Sequence, residues 1–198
     1  ISSGQSADLS VKLGNGDGTF QPAVQYAAGY RPSVAAVADF NADGNLDLAT
    51  ANFGAPASVL LGLGDGTFLP GSFIGSSGGG GGTGIASADF NADGLPDLAL
   101  TRNDNVVVVV LNLGNGTFGP ASLLPAGTNP QAIAARDLNG DGRPGLVVVS
   151  SSGARVFLGS GNGAFAAPQS YVVGANPTGV AVGDLNGDGI PDVVANNQ

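Results

Sequence analysis

The stretch that decides the fold is DFNADGNLD at residues 39–47, because it returns three more times along the chain. The other copies are DFNADGLPD at 89–97, DLNGDGRPG at 137–145 and DLNGDGIPD at 184–192. Each copy places Asp, Asn and Asp on alternate residues and Gly at the sixth position. Alternating oxygen side chains, with a Gly that permits a tight turn, are typical of loops that wrap a hard cation such as Ca2+. The pattern therefore predicts metal-binding loops.

A second motif alternates with the first: GDGTF at 16–20 and 64–68, GNGTF at 114–118 and GNGAF at 161–165. The Phe residues of successive copies stand 48, 50 and 47 residues apart, and the first Asp residues of successive acidic loops stand 50, 48 and 47 apart. Two motifs that share one period indicate a repeat architecture. Each period holds short apolar stretches between turn residues, which predicts the four strands of one propeller blade.

The predicted fold is all-β: a β-propeller of four-stranded antiparallel blades in a single domain, residues 1–198, with four repeats of about 48 residues. The chain begins with third and fourth strands plus a connector and ends with first and second strands, so the two partial repeats are expected to share one blade. The successive segments are residues 1–33, 34–84, 85–130, 131–177 and 178–198. Open alternatives are a closed four-bladed monomer, a homodimer that completes a larger ring, and a fragment of a longer propeller. The Gly-rich stretch 76–84 is expected to be a flexible connector.

Negative charge is concentrated in the acidic loops rather than spread over the surface. The chain has fifteen acidic residues, all of them Asp, and eleven lie in the four loops. With only six Lys and Arg and a formal net charge of −9, it has no basic stripe for nucleic acid. The absence of Cys excludes disulfides and thiolate metal sites. The longest apolar run, residues 106–111, is too short to span a membrane.

This chain contains few residues of the types that commonly act in catalysis. His, Cys and Glu are absent, so the commonest general bases and the thiol nucleophile are missing. Asp17 and Asp65 lie outside the acidic loops, but both fall in predicted hairpin turns. We therefore predict that the protein is not an enzyme.

The two alternating motifs resemble the FG-GAP or VCBS-type repeats of the integrin α-subunit β-propeller. D-x-N-x-D-G-x-x-D loops in alternation with G-[DN]-G-[TA]-F turns carry the resemblance over essentially the whole chain. The resemblance implies Ca2+ in the loop between the first and second strands of each blade. It also implies an extracellular setting, secreted or at the cell surface, and a role in adhesion or ligand binding. Propellers of this group usually have seven blades, and four repeats depart from that number.

The resemblance also implies which residues of each loop hold the metal. They are the side chains at the first, third, fifth and ninth positions and the backbone carbonyl at the seventh. Residue by residue they are Asp39, Asn41, Asp43, Asn45 and Asp47; Asp89, Asn91, Asp93, Leu95 and Asp97; Asp137, Asn139, Asp141 and Arg143; and Asp184, Asn186, Asp188, Ile190 and Asp192. The third loop has Gly145 at its ninth position and a cationic side chain at its seventh. We therefore predict up to four Ca2+ sites, of which the one at 137–145 is the weakest.

The donor types favour Ca2+ over other metals and over a metal-free turn. Mg2+ demands a near-ideal octahedron and keeps its waters, and Zn2+ prefers the His and Cys ligands that this chain lacks. Asp, Asn and Gly also favour metal-free turns, but four copies with matching positions favour metal binding. A helix-loop-helix calcium hand is rejected, because it needs a Glu at the twelfth position and the chain contains none.

The predicted function is a Ca2+-binding, non-catalytic extracellular scaffold for adhesion or ligand binding. The alternatives are a secreted glycan-binding lectin and a non-catalytic propeller module of a larger secreted enzyme. Sugar sites commonly use aromatic platforms, yet Trp is absent and the only Tyr residues are Tyr26, Tyr30 and Tyr171. Tyr26 and Tyr171 stand at equivalent places in their repeats, which favours blade packing over ligand binding. The partner is expected to be an extracellular protein or a glycan.

Overall fold

The computed structural model describes residues 8–74 and 82–198, where the chain forms strands and turns. The described strands, in chain order, are β1 (Asp8–Val11), β2 (Val24–Ala27), β3 (Pro32–Ala38), β4 (Asp47–Asn52), β5 (Ala57–Leu60), β6 (Ser72–Ile74), β7 (Gly82–Ala88), β8 (Asp97–Arg102), β9 (Val106–Val110), β10 (Asn112–Gly114), β11 (Thr117–Phe118), β12 (Ser122–Pro125), β13 (Pro130–Asp137), β14 (Pro144–Ser150), β15 (Gly153–Phe157), β16 (Gln169–Tyr171), β17 (Pro177–Gly183) and β18 (Asp192–Asn197). Most of the expected Gly-rich connector, residues 76–81, lies outside the described residues, whereas residues 82–84 belong to β7. The described part of the chain has no helix with the length and apolar character needed to cross a membrane.

Three antiparallel sheets of four strands form complete blades. Blade 1 contains β3, β4, β5 and β6, blade 2 contains β7, β8, β9 and β12, and blade 3 contains β13, β14, β15 and β16. Strands pair in chain order within each blade, and blade 2 carries the small β10–β11 ribbon in the turn before its fourth strand. The predicted all-β propeller architecture of four-stranded antiparallel blades is confirmed, with three complete blades among the described residues.

The first strands of successive blades pack beside one another in the order β3, β7, β13 and β17. Small residues allow this close approach, since a Cβ atom at Gly84 would lie 3.2 Å from the backbone of Ala132 in β13. Between blades 1 and 2, the Ser33 hydroxyl donates a hydrogen bond of 2.8 Å to the carbonyl oxygen of Gly82. Packing at this density explains why Ala, Gly and Ser dominate the first strands.

The apolar core lies between the faces of neighbouring blades. The second strands β4, β8 and β14 are buried along nearly their full length. In β9, Val108 and Val110 join the cluster between blades 1 and 2, whereas Val107 and Val109 join the cluster between blades 2 and 3. Successive side chains of a strand point to opposite faces of the sheet. Alternate residues of β9 therefore pack in two different interfaces between blades. Full burial of each such side chain contributes about 1.5–3 kcal/mol.

Two further sheets, of two strands each, lie at the ends of this array. The N-terminal half-blade is β1–β2 and the C-terminal half-blade is β17–β18. The N-terminal half-blade packs on blade 1 around Ala28, Leu48 and Leu60. The C-terminal half-blade packs on blade 3, where β17 lies beside β13. By their place in the repeat, β1 and β2 correspond to third and fourth strands, and β17 and β18 correspond to first and second strands.

The expected pairing of the two half-blades into one shared blade is not found within residues 8–74 and 82–198. Within these residues, neither β1 nor β2 pairs with β17 or β18. Each half-blade gains its burial from the adjacent complete blade. As a result β18 is largely exposed, unlike β4, β8 and β14.

Candidate metal centres in the acidic loops

The acidic loops join the first and second strands of successive blades, so they lie along the same edge of the array. The sixth residue of each loop has the left-handed backbone that favours Gly, with φ of 87°, 86°, 80° and 83° at Gly44, Gly94, Gly142 and Gly189. The fourth residue is left-handed as well, and it is Ala42, Ala92, Gly140 and Gly187 in turn. A left-handed Ala costs about 1–2 kcal/mol, so the first two loops carry strain that the last two avoid. Sequence reasoning missed the fourth position, although Gly at 140 and 187 was a signal for it.

The first Asp of each loop organises the turn that follows it. In the first loop the Gly44 amide donates to Asp39 Oδ2 at 2.8 Å. The same bond recurs at 2.8 Å in the other loops, to Asp89, Asp137 and Asp184. The amides of Gly142 and Gly189 are the main reason why the pKa values of Asp137 and Asp184 lie below the usual Asp value. The ionised form of Asp137 and Asp184 is therefore favoured, and the first Asp of every loop accepts a hydrogen bond from within its own loop.

The third and fifth residues form a second layer of contacts in each loop. In the first loop the Asn45 amide donates to Asp43 Oδ1 at 2.7 Å, and the Asn41 side-chain amide donates to Asp43 Oδ2 at 2.8 Å. Both bonds lower the pKa of Asp43, and the bond from the Asn45 amide has the larger effect. The other loops repeat both bonds at their equivalent residues. All four loops therefore present the same oxygens to solvent.

The carbonyl groups at the seventh position were predicted as ligands. Their amide N–H groups donate to the fifth-position Asp, but in the described chain their oxygens accept no hydrogen bond from any protein group. These residues are Asn45, Leu95, Arg143 and Ile190. An uncommitted carbonyl oxygen is compatible with metal ligation.

The donors of each loop fit a hard divalent cation in chemical type. The Asp43 amide donates to both Asp39 Oδ1 and Asn41 Oδ1, at 3.2 and 3.1 Å, so oxygens of the first and third residues lie near one another. The loops offer oxygen donors of the kind that Ca2+ prefers. Across residues 8–74 and 82–198, no group of three or more carboxylates is gathered closely enough to hold a metal ion. The Ca2+ sites and their ligand sets therefore stay a prediction.

The ninth Asp of the first two loops has a structural contact that sequence reasoning missed. Asp47 is fully buried, and its two carboxylate oxygens accept the amides of Phe40 and Gly62, both at 2.7 Å. Asp97 is also fully buried and accepts the amides of Phe90 at 2.8 Å and Asn112 at 2.7 Å. Each side chain thus ties its acidic loop to the backbone two residues beyond the third strand of the same blade. We call this pair of bonds the carboxylate clamp.

Burial sets the protonation behaviour of the clamp in blade 2. Loss of solvent raises the pKa of Asp97, which the amides of Asn112 and Phe90 partly oppose, while the charges of Asp93 and Asp89 raise it further. In the last loop Asp192 accepts only the Leu185 amide, at 2.9 Å, and it lies near the surface. Its second oxygen has no partner among the described residues.

The third loop has no clamp, because its ninth residue is Gly145. A Cβ atom there would lie 2.5 Å from the carbonyl oxygen of Phe157 and 3.0 Å from a methyl group of Leu138. The Arg143 side chain lies against the turn of its own blade, where its Cδ and Nε atoms would be 3.1 Å from a Cβ atom at Gly161. The loop is nonetheless folded like the others at its first six positions.

The Gly-rich turn of one blade docks on the acidic loop of the preceding blade. The Gly116 amide donates to the Phe40 carbonyl oxygen at 3.1 Å, and the Gly163 amide donates to the Phe90 carbonyl oxygen at 2.9 Å. The paired aromatic rings follow, with centroids 5.9 Å apart for Phe40 and Phe118. Those of Phe90 and Phe165 are 5.4 Å apart. This contact explains why the two motifs share one period, and Phe in both motifs was its signal in the sequence.

The Tyr residues differ in how far they are available to a ligand. Tyr26 packs edge-on against Phe68 with ring centroids 5.2 Å apart, which is the blade-packing role expected for it. Tyr171, at the equivalent position of blade 3, is half exposed, and its hydroxyl donates to Gln169 at 2.7 Å. Tyr30 is also half exposed. Two of the three Tyr rings therefore face solvent.

Comparison with known families and sequences gives one clear match. The profile of the FG-GAP-like repeat matches four overlapping segments, residues 1–50, 39–100, 89–148 and 137–195. Each segment runs from one acidic loop into the next, apart from the first, which begins at the start of the chain. Among curated proteins, none matches the chain in sequence.

Two solved structures illustrate the structural likeness. A lectin from Agrocybe aegerita, described for its specific recognition of non-reducing terminal N-acetylglucosamine, is 25% identical with a TM-score of 0.66, over 94% of this chain and 54% of the lectin. BBS1N, solved in complex with ARL6DN, is 15% identical with a TM-score of 0.59, over 97% of this chain and 55% of that chain. This chain thus spans about half the length of both structures, and the likeness to BBS1N shows the fold alone.

Proposed function

Because this chain belongs to the FG-GAP-like repeat family, we propose that it is a non-catalytic β-propeller segment that binds Ca2+ in its acidic loops and recognises carbohydrate outside the cell. The likeness to a carbohydrate-binding lectin over 94% of the chain carries the choice of ligand class. Adhesion through a protein ligand, which the integrin resemblance implies, is the alternative. A glycan array distinguishes the two functions.

The arrangement of charge supports Ca2+ binding. Each loop brings carboxylates and an uncommitted carbonyl oxygen to one short turn, with side chains exposed to solvent. Two carboxylates about 4 Å apart repel by about 4 kcal/mol at an effective dielectric of 20, and a divalent cation reverses the sign of that interaction. Solvent-exposed sites of this kind suit the high Ca2+ concentration outside cells, where affinities of about 10⁻⁴–10⁻³ M suffice.

The electrostatics support a non-catalytic role. A general acid or base works best with a pKa near the working pH, whereas the pKa values of Asp43, Asp137 and Asp184 are lowered. Asp97 has a raised pKa, but it is fully buried and both of its oxygens accept backbone amides. None of these carboxylates combines a suitable pKa with access to a substrate.

The test is a glycan array that includes non-reducing terminal N-acetylglucosamine, probed with the full 198-residue chain in Ca2+ and in a chelator. We expect binding in Ca2+ and a loss of binding in the chelator, because Ca2+ would neutralise the loop carboxylates and hold each acidic loop between the first and second strands of its blade. Asp93→Asn, which removes one loop carboxylate, should raise the Ca2+ concentration needed for glycan binding. Asp104→Asn is the control, since Asp104 lies in the β8–β9 turn and pairs with Arg102. A silent array, with the chain folded, overturns the carbohydrate proposal and leaves the protein-ligand alternative.

A further inference from the structure

Blade 1 carries exposed aromatic and cationic side chains at the edge opposite to the acidic loops, where second strands turn into third strands. Tyr30 is 54% exposed and Phe53 is 39% exposed. The Arg31 guanidinium lies over the Phe53 ring, 4.8 Å from its centroid, and the Phe53 amide donates to the Arg31 carbonyl oxygen at 3.1 Å. We call Tyr30, Arg31 and Phe53 the aromatic-arginine patch.

At the equivalent positions, blade 3 and the C-terminal half-blade carry small or polar residues. The equivalents follow from the register, because each of these first strands begins with a Pro that pairs at the end of the second strand. They are Thr128, Asn129 and Ser151 in blade 3, and Ala175, Asn176 and Gln198 at the C-terminal half-blade. The fold of a blade therefore needs no aromatic or cationic residue at these three positions.

The backbone of Arg31 suits the equivalent Asn residues better than it suits Arg. Its φ is 49°, and Asn129 and Asn176 have φ of 50° and 48°. Asn enters the left-handed region more readily than other residues with a side chain. Arg31 is therefore under more strain than its equivalents, and such strain is common where a residue has a role in function.

A buried polar network beneath the aromatic-arginine patch fixes its position. Asn52 and Ser58 are each only 1% exposed. The Ser58 hydroxyl donates to the Ala28 carbonyl oxygen at 2.8 Å, and the Asn52 side-chain amide donates to Ser58 at 2.8 Å and to the Pro56 carbonyl oxygen at 2.7 Å. Blade 2 has Val108 in place of Ser58. A fully hydrogen-bonded network of this kind holds both backbone segments of the patch rigid.

The positive charge of Arg31 has little opposition at this edge. Arg31 forms no ion pair with any described residue. Of the fifteen Asp residues, only Asp8 and Asp104 lie at this edge, and Asp104 pairs with Arg102 at 2.6 Å. Strands of six residues hold the acidic loops roughly 20 Å away, which is about two Debye lengths at physiological ionic strength. An anion can therefore approach Arg31 although the chain as a whole is acidic.

This edge is also open where complete blades lie on both sides of it. Thr128 and Asn129 join blade 2 to blade 3, and both are exposed. Ser151, the equivalent of Phe53, is exposed as well. The exposure of the aromatic-arginine patch is thus typical of this edge of the repeat.

We propose that the aromatic-arginine patch binds a glycan through a sugar that carries a carboxylate, such as a uronic acid. This inference rests on the proposed carbohydrate-binding function and adds the place of the site and the charge of the ligand. An aromatic ring offers an apolar face to the C–H groups of a sugar ring. A guanidinium stacked on an aromatic ring keeps its N–H edge free for a bidentate contact with a carboxylate.

The experiment is an array of glycans that end in glucuronic or sialic acid, each present also as its methyl ester, probed with the full chain in Ca2+. We expect binding to the acids and at least tenfold weaker binding to the esters, because esterification removes the charge that Arg31 recognises.

Three variants take the residue of blade 3 at each position, so each should fold like the unmodified chain. Arg31→Asn should weaken binding to the acids at least tenfold and abolish the preference over the esters. Arg31→Lys should restore only part of that preference, because Lys has the charge without the planar fork. Tyr30→Thr and Phe53→Ser should weaken binding to acids and esters alike.

The controls are Tyr171→Thr, at an exposed Tyr of blade 3, and Lys12→Asn, at an exposed cation outside the patch. Both should bind like the unmodified chain, and an equal loss in either would overturn the proposal. Glycan binding that ignores the carboxylate and survives Arg31→Asn and Phe53→Ser would overturn this site and leave the carbohydrate function standing. An array silent for every glycan, with the chain folded, would overturn the proposed function and this site with it.

Discussion

The second and third acidic loops share a sequence motif but end differently. In both, the sixth-position amide donates to the first Asp at 2.8 Å. The second loop ends in Asp97, whose buried carboxylate ties the loop to the end of the third strand, whereas the third ends in Gly145, which has no room for a side chain. The first six positions thus fold alike with and without the clamp, so the part of the motif that faces a cation is separable from the part that fastens the blade.

The largest effect is expected from removal of the clamp in the second loop. Asp97→Ala leaves the amides of Phe90 and Asn112 without an acceptor, and each unsatisfied buried donor costs about 1–3 kcal/mol. The free energy of unfolding should fall by about 3 kcal/mol in urea denaturation. Asp192→Ala, which loses one bond near the surface, should lose about 1 kcal/mol. Equal losses in the two variants would show that burial of the clamp contributes nothing.

A smaller effect is expected from adding a side chain to the third loop at the clamp position. Gly145→Ala should lower the free energy of unfolding by about 1–3 kcal/mol, because the new Cβ atom meets the Phe157 carbonyl oxygen at 2.5 Å. Gly140→Ala is the matched control in the same loop, with open space around it and Ala42 and Ala92 at its equivalents. It should cost about 1 kcal/mol. A stabilised Gly145→Ala protein would contradict the steric account of why this loop lacks a clamp.

The third loop should also bind Ca2+ about tenfold more weakly than the second, since it has one carboxylate fewer and carries Arg143. Calorimetric titration of two variants can assign the sites. Asp137→Asn should abolish the weakest binding step and leave the tighter ones, whereas Asp89→Asn should abolish a tight step and leave the weak one. Four equal sites would contradict the prediction.

The smallest effect is the pH dependence, which should have opposite signs in the two loops. The raised pKa of Asp97 means that its contribution to stability is present below the unfolded value of 3.8 and is lost as pH rises through its folded pKa. The lowered pKa of Asp137 means that its contribution is present above 3.8 and is lost as pH falls. In a chelator, the stability advantage over Asp97→Asn should shrink as pH rises above 3.8. The stability advantage over Asp137→Asn should instead grow as pH rises towards 3.8 and level off above it. A pH dependence of the same sign for the two stability differences would contradict the assigned directions of the pKa shifts of Asp97 and Asp137.

The strands, the loops and the blade repeat could be predicted because they depend on local pattern. The alternation of apolar and polar residues, the turn residues and the shared period can all be read from the sequence. The match to the FG-GAP-like repeat and the observed sheets confirm them. The role of Asp97 could not be predicted in this way. An Asp that accepts two amides looks the same in sequence as an Asp that ligates a metal, and only the fold shows what lies opposite.

The pairing of the two chain ends could not be predicted. Their strand types were inferred from the phase of the repeat, and each end forms a two-stranded sheet. Their pairing depends on how far each blade rotates against the next, which side-chain packing between blades decides. That packing includes contacts such as Phe90 with Phe165, across 75 residues of sequence, which no local pattern encodes.

The most direct test of the central claim, that the acidic loops are Ca2+ sites, is thermal unfolding of the 198-residue chain in Ca2+ and in a chelator. Ca2+ at a hundred times its dissociation constant should add about 2.7 kcal/mol for each site, which raises Tm by several degrees. Mg2+ at the same concentration should have a much smaller effect. Identical melting curves in Ca2+ and in the chelator would contradict the account.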